Sequence, residues 1–192
     1  MIKLIRKLLS EKSGATAVEF ALSIGIFLVT VFSAIDLSLY SYGVNRQQAA
    51  TYSAARFAIT SPPIAAGLSQ IDLTGVAVGF PVPSERVPNF MCAGVGASAF
   101  TCTPGSTVSA SASALLGRIQ AVMPEVQARN VTVTYMHVGL GLVGNPVGTN
   151  TDPLVSVEIS GVEFRPVILS AFASVAITLP PTKVSLLAED LK

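Results

Sequence analysis

The sequence predicts an α+β protein: a long N-terminal helix, part membrane span and part exposed extension, carrying a small outward domain of one helix packed on an antiparallel sheet. Three observations predict it. From 15 to 35 the only charged residue is Glu19, and such a run supplies the ~20 apolar residues a helix needs to cross a ~30 Å hydrocarbon core. No helix breaker follows until Ser61-Pro62-Pro63, so the helix continues far past the span. Beyond it, one stretch with helical periodicity is followed by stretches that alternate apolar and polar residues as strands do. The chain thus divides into a basic leader (1–14), a transmembrane and extended helix (15–60), and an α+β domain (61–192) with a loop-rich excursion over 61–106.

Charge orients this arrangement. The leader holds Lys3, Arg6, Lys7 and Lys12 against Glu11, whereas 15–192 is slightly acidic. Lys and Arg beside one end of a span tend to stay in the cytoplasm. The N-terminus is therefore expected inside and the domain outside. With 51% hydrophobic and 12% charged residues, the chain is more apolar than a freely soluble protein. No basic stripe speaks for nucleic acid.

Past the span, Ala49, Ala50, Ala54, Ala55 and Ala58 favour helix up to the prolines, because the residue before a proline is driven out of the α region. That extension shows two narrow apolar stripes, Tyr52/Ala55/Ile59 and Ala50/Ala54/Phe57. One stripe would meet the chain's own domain; the other meets a neighbouring subunit or is merely small and exposed.

Residues 61–106 are rich in Pro, Gly, Ala and Ser and read as surface loop, with a short strand at 73–80. A helix is predicted from Ser106 or Thr107, where a Ser/Thr cap precedes Val108, Ala112, Leu115, Ile119 and Val122, and Pro124 follows. Val131, Val133 and Tyr135 then alternate as a strand. A second alternation over 154–164 places Val155, Val157 and Ile159 on one face, and a Gly/Pro-punctuated loop (139–153) suits an antiparallel hairpin between them. After Pro166 a short apolar turn or helix to Ala173 is expected, and 175–179 or 183–187 supplies a third strand.

Cys92 and Cys102 both fall outside the membrane and enclose a short Gly/Ala/Ser-rich loop. In an oxidising compartment they read as a disulfide, the alternative being two buried free thiols. A metal site is not expected, since His137 is the only histidine and two thiols do not complete a tetrahedral zinc site. Nor is a catalytic centre. His137 has no identified base partner, and Glu158 and Glu163 read as solvated groups on opposite faces of a strand. Gly139-Leu140-Gly141-Leu142-Val143-Gly144 spells a dinucleotide fingerprint, but no helix opens after it to hold a pyrophosphate. Asn130-Val131-Thr132 spells a glycosylation acceptor, a match given no weight. No enzyme activity, cofactor or small-molecule substrate is expected.

A basic leader ending in Gly14, then an apolar helix with Glu19 at its fifth position and Phe20 next, resembles the class III signal cut by prepilin peptidase. Ala17-Val18-Glu19-Phe20-Ala21-Leu22 narrows the likeness to the TadE family of minor pilins, or pseudopilins, of tight-adherence (Flp-type) pilus systems. Ile35-Asp36-Leu37-Ser38-Leu39-Tyr40, with its acidic residue just past the span, and Gln47-Gln48-Ala49-Ala50-Thr51-Tyr52-Ser53-Ala54-Ala55-Arg56-Phe57-Ala58 resemble further parts of that family's pattern. Gly25 stands where many such spans carry a proline, so the family's helix kink is not carried over. The resemblance implies processing between Gly14 and Ala15, and an assembly role for Glu19 and Phe20, with Glu19 neutralising the Ala15 amine of an adjacent subunit. It implies the membrane, a prepilin peptidase and other pilins of the same system as partners, and a structural part in assembling or priming the pilus. The alternative function is a membrane-anchored binding module or adhesin with no pilus role.

Overall fold

The computed structural model describes residues 14–144, 151–168, 170 and 174–188. Its architecture is α+β. Helix α1 runs unbroken over Ala15–Thr60. There follow β1 (Phe90–Val95), β2 (Ala99–Thr103), α2 (Ser109–Gln120), β3 (Val131–Met136), β4 (Leu154–Ile159), the short β5 (Glu163–Phe164) and β6 (Ile177–Thr178), and β7 (Thr182–Leu187). Two compact units result. One takes α1 as far as Ser41 together with Arg165–Ile177; the other takes Tyr42–Phe164 and the chain from Thr178.

The larger unit is built on a five-stranded antiparallel sheet in the order β2-β1-β3-β4-β7. Its register aligns Cys102, Cys92, Val133, Val157 and Val184 in one row, and Phe90, Tyr135, Val155 and Leu186 in another. Directly paired residues share a face, so these rows form one apolar face. The opposite face carries Thr101, Thr132, Glu158 and Lys183 in a single row, the amphipathic division that lets an antiparallel sheet meet water on one side. Ala112, Leu115, Leu116 and Ile119 of α2 are buried, as are Ala50, Ala54, Ala55 and Ala58 of α1, and these cover the apolar side. Ala50 and Ala54 of one predicted stripe are inside, joined by Ala55 of the other, whereas Tyr52 remains exposed.

Several local predictions are corrected. The stretch 73–80 is not a strand: Leu73 and Val76, with Ile71, pack on a small cluster of Val82, Val87 and Val143. The backbone there is taken by the 139–144 loop, with Gly79 N–H donating to Val143 O (2.8 Å) and Val82 N–H to Gly141 O (3.2 Å). A hairpin instead occupies 90–103, and its Phe90, Cys92, Phe100 and Cys102 are core. Gly94 is required in it, because a Cβ there would sit 1.7 Å from Ala128 O.

Helix α2 begins at Ser109 with Val108 at its N-cap and no side-chain cap, since the Thr107 hydroxyl is used on Phe100 O (3.1 Å). The alternation over 154–164 is broken by Gly161, whose φ of 67° lies in the left-handed region that glycine adopts at no steric cost. Glu158 and Glu163 consequently belong to different strands. Of the two candidates for the next strand, 183–187 joins the sheet within β7. His137 falls one residue past the end of β3. The leader's residues 1–13, the loop residues 145–150, and Leu169 and 171–173 of the predicted turn after Pro166 lie outside the described residues.

Candidate membrane anchor and assembly face

In the smaller unit most side chains along the apolar run of α1 are exposed. Val18, Leu22, Ile26, Phe27 and Val29 are exposed, and Phe20 is 68% exposed. Glu19 and Gly14 are also exposed, and Ala15 opens the helix. The hydroxyls in this part turn back on the helix: Thr30 donates to Ile26 O (2.9 Å), Ser33 to Val29 O (2.8 Å), Ser38 to Ala34 O (2.8 Å) and Ser41 to Leu37 O (3.0 Å). These four hydroxyls thus find their partners within the helix, as a hydrocarbon solvent demands. At the end of the apolar run, Asp36 Oδ1 accepts the N–H groups of Val167 (3.0 Å) and Ile168 (3.2 Å).

In the larger unit α1 changes character. Gln47 is fully buried, and its amide nitrogen donates to Ile159 O (2.9 Å), Pro180 O (2.9 Å) and Thr182 Oγ1 (3.2 Å). Thr51 lies one turn on and shares a 2.7 Å hydrogen bond with Thr182. These contacts tie the helix to the end of β4 and the start of β7. Arg46 donates to Val122 O (2.8 Å from Nη2), just beyond α2, and pairs with Glu125 at 3.3 Å. A guanidinium at the C-terminal end of a helix satisfies carbonyls left without intrahelical partners. Neither Gln47 nor Thr51 stood out as buried in the sequence. The signal was there, for both continue the 3.6-residue face of Ala50, Ala54 and Ala58.

Cys92 and Cys102 face one another across the β1–β2 ladder and are joined by a disulfide. Tyr135 is buried beneath the sheet, and its hydroxyl accepts the Ile64 N–H at 3.1 Å. That burial pushes the phenol up to about 12, the hydrogen bond from Ile64 acting in the opposite sense. Asp72 is held below the usual carboxylate range by the hydroxyl and then the N–H of Thr74. This is a local turn device in an exposed loop. Both ring nitrogens of His137 are without a hydrogen-bond partner. Among the described residues no three His, Cys, Asp or Glu side chains gather as a metal site requires.

One candidate span among the described residues, exposed and apolar, with a small α+β domain after it, suggests a membrane-anchored protein. Residues 14–56 match the family described as TadE-like protein. The chain thus carries a TadE-like region, which suggests a Tad pilus-associated protein, and that family is a structural one. No curated protein and no solved structure matches the chain.

Proposed function

We propose that the chain is a minor pilin, or pseudopilin, of a Flp-type pilus, held by α1 in the inner membrane until it joins the assembly. The observation that carries the reading is the TadE-like match over 14–56, which falls on a helix whose apolar side chains are exposed and whose apolar run holds one charge, Glu19. The basic leader stays cytoplasmic, the domain is periplasmic, and a prepilin peptidase cuts between Gly14 and Ala15. Glu19, followed by Phe20, pairs with the new Ala15 amine of a neighbouring subunit and sets register. Such a buried pair acts as a specificity device more than a source of stability, because desolvation offsets most of the attraction.

Co-expression with a prepilin peptidase should shorten the protein by the fourteen leader residues, read by mass spectrometry of the intact chain. Glu19→Gln should abolish pilus assembly while processed protein accumulates, because removing one partner of a buried pair costs about 3–5 kcal/mol. An unchanged mass, or normal pili in the variant, overturns the reading.

One feature favours a second reading, the anchored binding module. An open groove of about 480 Å³ is lined by Tyr52, Arg56, Phe57, Ile59 and Arg118, among others, and brings two guanidinium groups to one exposed surface. On that reading Arg56→Gln with Arg118→Gln would abolish adhesion, and Glu19→Gln would leave it intact.

A further inference from the structure

Asp36 does more than end the apolar run. Its carboxylate takes up the N–H groups of Val167 and Ile168, so the turn after Arg165 is fastened to α1 where the span gives out. Further polar groups of this turn are paired as well. Pro166 has no N–H to satisfy, Ser170 N–H donates to Pro166 O (3.3 Å), and the Ser170 hydroxyl donates to Val167 O (3.1 Å). The side chain of Val167 is the reverse. It is 66% exposed, and no charged residue occurs between Arg165 and Lys183. Paired backbone beneath an exposed aliphatic side chain is what hydrocarbon requires of a non-helical segment, and what water does not.

The turn also reaches along the helix. Ile168 shares a groove of about 440 Å³ with Gly25, Leu28, Val29 and Phe32, which extends to Asp36. From Asp36 back to Gly25 is ~16 Å of helix at 1.5 Å per residue, about half of a ~30 Å hydrocarbon core. We propose that the turn at 166–168 is a second membrane contact, which enters the leaflet at the Asp36 end of the span and lines, with the helix, a groove for lipid acyl chains. The occupant follows from continuity. The groove's floor is the exposed surface of the span itself, Ile168 adds aliphatic carbon to it, and the Asp36 carboxylate at its end takes up the N–H groups of the turn. The inference rests on reading 15–35 as the span.

The chain has no tryptophan, so an introduced one reports alone. Full-length protein carrying Val167→Trp, reconstituted in phosphatidylcholine vesicles, should show blue-shifted emission and lose most of its intensity when the acyl chains are brominated. Phe27→Trp within the span should be quenched likewise, and Phe80→Trp in the other unit should not. Asp36→Ala in the Val167→Trp background should cut the quenching severalfold. Quenching at position 27 with none at 167 overturns the second contact and leaves the span standing, as would happen if water or a neighbouring subunit covered the turn. Absence of quenching at both positions overturns the span reading and this inference together.

Discussion

Up to Ser41 helix α1 presents Phe20, Leu22, Ile26 and Phe27 to the outside, whereas from Tyr42 onward it buries Gln47, Ala50, Thr51 and Ala54. The backbone is the same continuous helix in both stretches. The first has large exposed side chains, and hydroxyls such as those of Thr30 and Ser33 bond back to their own helix. The second has small side chains that allow close approach, and the Gln47 amide nitrogen and the Thr51 hydroxyl meet partners more than 100 residues away. Burial in a folded chain is therefore decided by what can be packed and paired, and hydropathy ranks the two stretches in the wrong order. The more apolar stretch is the exposed one, which suggests a solvent other than water.

If the contrast is right, perturbations of the domain should lower its unfolding stability and leave the helicity of the span untouched. The largest effect is expected from replacing both cysteines by serine, since opening a loop with a sequence separation of 10 costs about 3 kcal/mol. Urea unfolding of the detergent-solubilised chain measures it, and thiol labelling without prior reduction should leave the parent protein unmodified.

Alkali should act nearly as strongly through Tyr135. Its phenol stays protonated up to about 12 in the folded protein, against 10.0 as the ordinary value. The unfolded chain gives up this proton first, so this contribution is whole below pH 10 and is lost as pH rises from 10 to 12. A shift of that size corresponds to roughly 2–3 kcal/mol. Tyr135→Phe should lack that part of the alkaline decline, which denaturant midpoints across pH would reveal.

Ala54→Leu places three more carbons against a closed interface and should cost about 2 kcal/mol, whereas Leu22→Ala on the exposed stretch should leave the domain's unfolding midpoint unchanged. Smaller again is Gln47→Ala, which strips a donor from Ile159 O and Pro180 O at a cost of about 1–2 kcal/mol. Ser33→Ala, where the hydroxyl bonds only its own helix, serves as the matched control and should be silent.

The same contrast explains what could be read from the sequence. Helix α1 was legible because its causes are local: an apolar run, then alanines, then Ser61-Pro62-Pro63. Strands β3 and β4 were legible from their alternation, although the end of β4 depends on Gly161. The β1–β2 hairpin was not. Phe90-Met91-Cys92-Ala93-Gly94-Val95 has a weak alternation and a glycine inside it, and it is a strand because Phe90 and Cys92 lie opposite Tyr135 and Val133, a pairing that no local pattern states. Gln47 and Thr51 were seen as part of a family pattern, but polar side chains on a helix read as wet until Thr182 is brought beside them. The bond between Asp36 and the turn at 167–168 was hidden for the same reason. It joins residues 131 and 132 positions apart.

Strand β2 forms one margin of the five-stranded sheet, the position where alignment is least constrained because only one neighbour enforces it. Sliding it by a single residue would carry Phe100 out to the polar side and turn every second side chain over. The sulfur bridge removes that freedom. Cys102 opposite Cys92 is a covalent index mark, so the outermost strand is held to one alignment.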